Sequence, residues 1–330
     1  MQQGNRTMNH TNSKNQKIQI LRGIAICAVV VIHTEPPYLA GILVRSFVNF
    51  AVSMFFFLSG YLTKLDCQGR HIFYQKRIRR VLIPYLFWTL SWLSIRFLVS
   101  KQYQPFLFSL LTGQYIYPYY FIFVYIQFVL FTPWISRLIK SDCRWVGWLI
   151  QPVTIVLLRY LGLEQHIRFS ILFSWFTPYY LGMILGNGVR EYALGKSRTI
   201  ALWFVSLILS IGEGLFWNRL GNYDLATTQE SLSNCLYSLL CMLLAYQYLK
   251  DDNLPVRDHI IDKTLILLGD YSFGIFLIHA FIIYYAGKVP IYQLLRFPFN
   301  TVAVIVISSL LVFCGRKILG PKLGTAIGFY

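Results

Sequence analysis

The chain has 330 residues, 56% hydrophobic, 17% aromatic and only 13% charged, about half the roughly 25% charged share of a soluble chain. Its 30 Lys and Arg against 13 Asp and Glu leave a formal net charge of +17. That combination excludes a disordered chain, a disulfide-stapled secreted scaffold and a soluble globular enzyme, and argues against a nucleic-acid binder, whose basic residues need solvated faces.

A helix that crosses the bilayer core needs about 20 mostly apolar residues. In chain order such runs are predicted at 18–38, 42–63, 82–99, 115–134, 145–161, 169–188, 199–216, 231–249, 264–287 and 299–319. The breaks carry turn residues or charge: Pro36-Pro37 with Gly41, residues 64–80, 102–113, Ser141-Asp142, 251–258 and Pro290. The third and fifth runs are short, interrupted by Arg96 and by Gln151-Pro152. Residues 1–17 are expected as a polar leader, 18–320 as one multispanning unit and 321–330 as a short tail. The first run lacks a small-residue cleavage site and is expected to stay as a permanent helix. The fold class expected is an all-α integral membrane bundle of about ten transmembrane helices. Sorting Lys and Arg by loop puts 22 of the 30 on the side shared by both termini and 8 opposite. Both termini are therefore expected to be cytoplasmic. The six cysteines show no CxxC pattern; they are expected as small apolar packing residues, with no metal site.

Ionisable groups inside a bilayer are expensive, so each is a candidate functional residue. The first run carries Arg22 at one end and His33 near the other. Eleven residues at 100° each close to within about 20° of three full turns and rise roughly 16 Å, so the two share a helix face. A cation at the mouth and an imidazole deep in the membrane suit a long ligand with an anionic end outside and a reactive end within. The residues alone leave a plainer reading open: Arg22 as a positive-inside anchor, His33 as an interhelical hydrogen-bond partner. Glu35 lies about 200° round the helix from His33 if still helical, and is expected to pair with Arg45 across the Pro-Pro hairpin. Further along, Arg77 and Arg80 are i,i+3 neighbours at the start of the third run, and two guanidiniums so placed grip phosphates or, in the plainer reading, lipid headgroups. Glu213 lies in the seventh run as a possible acceptor contact. Ser272 and His279, seven apart, fall on one face of the ninth run, where they either line an acceptor cavity and orient His33 or hydrogen-bond between helices.

Together these motifs resemble acyltransferase family 3, the integral-membrane O-acyltransferases. The resemblance rests on Leu-Arg-Gly-Ile-Ala (21–25) followed by His33, Phe-Phe-Phe-Leu-Ser-Gly-Tyr-Leu (55–62), Arg77-x-x-Arg80 with Pro84-Tyr85, Ser174-Trp175-Phe176 through Gly182, and Leu268-Gly269-x-Tyr-Ser-Phe-Gly-Ile-Phe-Leu-Ile-His279. It implies a ten-helix catalytic unit without a soluble esterase-like domain, with His33 catalytic and Arg22, Arg77 and Arg80 binding the donor. Glu35 and His279 are expected in catalytic support, and Ser272, Arg45 and Glu213 toward the acceptor. The function expected is transfer of an acetyl or similar small group from acyl-coenzyme A, as a substrate and not a bound cofactor, to a hydroxyl of a cell-surface glycan or its lipid-linked precursor. The expected setting is a bacterial cytoplasmic membrane, with no nucleic-acid partner; the sequence is silent on oligomeric state. The alternative class is an exporter of a polysaccharide or lipid-linked intermediate, in which His33, Glu35, Arg45 and His279 line a pathway.

Overall fold

The computed structural model describes residues 2–65, 70–100, 116–163, 171–190 and 194–329. Every regular element among them is helical. In chain order, α1 is Gln2–Thr34, α2 Tyr38–Val48, α3 Ala51–Tyr61 and α4 Arg70–Ser100. Then come α5 (Tyr120–Lys140), α6 (Gly147–Ile155, continued by a π-helical turn at Val156–Tyr160), α7 (Phe176–Gly186), α8 (Lys196–Arg219) and α9 (Tyr223–Thr227). The last four are α10 (Leu232–Lys250), α11 (Ile260–Ala286), α12 (Pro290–Gln293) and α13 (Phe299–Ala326).

Eight stretches among the described residues are long and apolar enough to cross a membrane: Asn15–Thr34, Tyr38–Tyr61, Tyr74–Leu98, Tyr120–Lys140, Lys196–Arg219, Tyr223–Lys250, Ile260–Ala286 and Phe299–Ala326. They coincide with eight of the ten predicted runs. The runs predicted at 145–161 and 169–188 fold as shorter pieces: α6 passes into the π turn, and a 3-10 turn at Leu172–Trp175 precedes α7. Cys67 and the break predicted at 102–113 lie outside the described residues. The chain is an all-α integral membrane protein.

The helix α1 is the spine of the bundle, packed along α11 and also touching α3, α10 and α13. Lipid supplies no hydrophobic drive between helices, so close backbone approach has to supply the attraction. Gly23 of α1 lies against the carbonyl of Leu265, and Gly269 of α11 against the carbonyl of Gln19. A methyl at either position would overlap the facing backbone. The same device joins α3 to α7, where Gly60, Gly182 and Gly186 face backbone atoms of Tyr179, Phe57 and Tyr61.

The apolar stretch of α1, Asn15–Thr34, is tied down at both ends. The buried Lys17 donates to the carbonyls of Tyr248 (3.2 Å) and Asp251 (2.7 Å), where a cation offsets the negative end of α10. The helix stops at Thr34 because the residue before a proline disfavours the helical conformation and Pro36-Pro37 follow Glu35. Asn300 of α13 then donates to the Thr34 carbonyl at 2.9 Å, and the Thr34 and Thr301 hydroxyls are hydrogen-bonded at 2.6 Å. His33 therefore sits one residue before a pinned helix end. At the other side of the bundle α13 bends at Gly320 (φ 69°), and the segment beyond folds back. Trp88 of α4 donates to the Ile327 carbonyl at 2.9 Å, and the buried Phe329 ring packs at Gly274 and Gly315.

Candidate functional site

A cavity of about 530 Å³ opens among α1, α3, α4, α5, α11 and α13. Its polar wall carries Arg22 and Gln19 from α1, Lys76, Arg77 and Arg80 from α4, Arg316 from α13, and Asp270 and Ser272 from α11. Five cations against one carboxylate make it a strongly electropositive recess. Arg77 is oriented by donating to the Thr63 hydroxyl (2.6 Å) and, more weakly, to the Leu62 carbonyl (3.4 Å) just past the end of α3. Arg316 lies over the Tyr271 ring, 4.6 Å from its centroid, a cation–π contact that helps to orient the guanidinium. Lys76, next to Arg77 in the chain, lines the recess with the Arg77/Arg80 pair.

Inward, the wall turns apolar. Val29 of α1, Val52 of α3, Phe121 of α5 and Phe276 of α11 border this recess and also a second, much smaller cavity of about 20 Å³. The second cavity is lined in addition by His33, Ile32, Pro118, Tyr120 and Gln229. Arg22, Val29 and His33 are spaced seven and four along one helix, so a single face of α1 runs from the basic recess through the apolar neck to the imidazole.

Behind His33 stands His279, fully buried, with ring centroids 5.3 Å apart and planes tilted by 40°. Its Nδ1 lies 2.8 Å from the Phe276 carbonyl and 3.1 Å from that of Ile275. Carbonyls only accept, so Nδ1 carries the proton and Nε2 presents a lone pair. That Nε2 is buried and makes no hydrogen bond of its own. The pair thus combines one imidazole at a cavity wall with a second whose tautomer is set by its own helix.

The other sequence-selected residues divide. Ser272 lies on the basic recess, not at the His33 cavity. Glu35 and Arg45 form the expected pair, with Arg45 Nε 3.0 Å from Oε1 and 2.8 Å from Oε2 of the carboxylate. Neither lines the two cavities. Glu213 also lies away from them: its carboxylate takes the Tyr160 hydroxyl and, from Ser233, a backbone N–H at 3.0 Å. That geometry caps the start of α10. Sequence reasoning missed Arg316, Asp270 and Gln229. Arg316 was counted only as a loop charge, and Gln229 lies in the polar stretch 227–230, just before the run predicted at 231–249. Among the described residues no cluster of three His, Cys, Asp or Glu is placed to hold a metal ion.

Fold and site together define a multispanning membrane protein in which a basic recess meets a histidine pair, His279 of it fully buried, through an apolar neck. A family model described as an acyltransferase domain matches residues 15–315. With nearly the whole chain covered, the protein belongs to acyltransferase family 3 and is a membrane acyltransferase. No curated protein and no solved structure matches it significantly.

Proposed function

We propose that the protein is an O-acyltransferase of the bacterial cytoplasmic membrane, moving an acetyl or similarly small acyl group from acyl-coenzyme A to a hydroxyl of a cell-surface glycan or its lipid-linked precursor. One observation carries this reading: a single face of α1 joins a recess holding five cations to His33 across an apolar neck. Coenzyme A has the matching shape, with several phosphate charges at one end and a neutral pantetheine arm ending in the thioester. In this reading Arg22, Arg77 and Arg80 hold the phosphates by charge-assisted hydrogen bonds. The arm threads the neck and delivers the acyl carbon to the smaller cavity. His33 takes the proton of the acceptor hydroxyl as general base, a role suited to a side chain whose ordinary pKa lies near neutrality. His279 and the Glu35–Arg45 pair position it. The small second cavity favours a short acyl group.

Mass spectrometry of surface glycans from cells with and without this gene tests the reading. Loss of a defined acyl mass is the expected result; identical glycans under conditions of expression would overturn it.

A further inference from the structure

The close seam between α3 and α7 does more than join two helices. Just past it the chain leaves the helical path: Tyr61 ends α3, and the Thr63 N–H turns back to the Gly60 carbonyl at 2.9 Å. Non-helical backbone at membrane depth has to be buried in protein or line a cavity. Here Asn187, just past α7, clamps it, donating to the Thr63 carbonyl (2.8 Å) and accepting the Leu65 N–H (3.1 Å). The clamp holds Thr63 fully buried, behind Arg77 and outside the walls of the basic recess.

The hydroxyl protons at this corner can be assigned. The Thr63 hydroxyl lies 2.7 Å from the Ser59 carbonyl, and the Thr132 hydroxyl of α5 lies 2.8 Å from the Phe128 carbonyl. Carbonyls only accept, so each threonine spends its one proton on the carbonyl four residues back. The buried Tyr179 hydroxyl of α7 is 2.9 Å from Thr132 and 3.4 Å from Thr63, so its proton goes to the nearer oxygen. Thr63 Oγ1 therefore turns only lone pairs toward Arg77, whose guanidinium donates to it at 2.6 Å. A neutral acceptor steers a guanidinium without cancelling its charge, as a carboxylate in the same place would. That is the partner an anion-binding arginine needs.

We infer that Thr63 is a positioning residue for donor binding, its oxygen fixing the Arg77 side chain so that the guanidinium meets the donor's phosphates already oriented. The inference rests on the proposed acyl-coenzyme A donor. An arginine immobilised only when its ligand arrives loses rotamer freedom at that moment and weakens binding accordingly. One held beforehand has lost that freedom on folding. In this role Thr63 touches no substrate: it stays behind Arg77 and acts through it. The chemistry at His33 is left alone, so the role shows in donor affinity and not in turnover.

The test uses the full chain purified into nanodiscs, with acetyl-coenzyme A binding read by calorimetry and turnover by transfer of radiolabelled acetyl groups to a glycolipid extract of the source membrane. Thr63→Val keeps the shape and removes the hydroxyl; it should weaken acetyl-coenzyme A binding about three- to tenfold, the worth of one hydrogen bond, with the turnover number at saturation within twofold of wild type. Thr63→Ser, which keeps the oxygen, should recover affinity to within twofold. In an Arg77→Gln background Thr63→Val should change affinity by less than twofold, a coupling that a merely structural role would not produce. Wild-type affinity in Thr63→Val, or an equal loss with and without Arg77, would overturn the role while leaving donor binding in place. Wild-type protein that binds no acetyl-coenzyme A would remove the donor reading and this role with it. Thr63→Ala, which removes the same hydroxyl in a smaller side chain, and an unchanged thermal unfolding midpoint guard against a Val variant that fails by misfolding.

Discussion

His33 and His279, one from α1 and one from α11, face each other with ring centroids 5.3 Å apart at the inner end of an apolar neck. The chain places one imidazole at a cavity wall and the other behind it, its Nδ1 held by two carbonyls of its own helix turn. His33→Ala should therefore lower acyl transfer by about 10²–10⁴-fold, the usual contribution of a general base. His279→Ala should lower it by less, with donor affinity unchanged. Single-turnover assays on the two purified variants measure both; full activity in His33→Ala would refute the mechanism.

The basic recess makes a separate prediction about the donor. Arg77→Gln and Arg80→Gln each remove charge-assisted hydrogen bonds worth about 1.5–3 kcal/mol, which corresponds to roughly 10- to 150-fold weaker acetyl-coenzyme A binding. Arg316→Gln should behave in the same way, although that residue lies one position past the family match. Calorimetric titration in detergent reads all three. If affinity survives every substitution, the arginines serve lipid headgroups.

Stability should hinge on the glycine contact between α1 and α11. Gly269→Val forces a branched side chain against the Gln19 carbonyl, and overpacking of this kind costs about 1–3 kcal/mol or more. A clear drop in the detergent-solubilised unfolding midpoint is expected, whereas Gly195→Val, at an open position, should leave it unchanged.

The Glu35–Arg45 pair is only about one-sixth exposed on either side, 16% and 15%. A double-mutant cycle with Glu35→Gln and Arg45→Gln should return a coupling of about 1–3 kcal/mol, because each single change strands a largely buried partner. A coupling near zero would mark the pair as incidental to the hairpin.

Detergent also separates the two function classes. A transporter needs two compartments and an acyltransferase does not, so radiolabel transfer by solubilised protein is the expected outcome. Its absence, together with flux in proteoliposomes, would favour the exporter.

Much of this was legible from local pattern. Apolar runs located the helices because spanning length is a strong constraint, and the eleven-residue spacing put Arg22 and His33 on one face. The Glu35–Arg45 pair could be anticipated because a two-proline turn brings both residues together. What escaped depends on contacts distant in the chain. Glu213 finds its partners in Tyr160 and Ser233, and no local signal links it to either. The break between α9 and α10, at 228–231, escaped because it falls at the edge of the run predicted at 231–249, and no local signal announces the short helix α9 on its far side. Arg316 reaches the recess only because α13 crosses α11 there, and its charge looked like any other cytoplasmic cation.

The four apolar side chains of the neck, Val29, Val52, Phe121 and Phe276, also have an electrical consequence. An ion shedding its water to pass them would meet no compensating dipole, while a neutral thioester arm slides by at little cost. The neck is thus an insulator: four apolar side chains separate the charged recess from the imidazole without offering an ion a path between them.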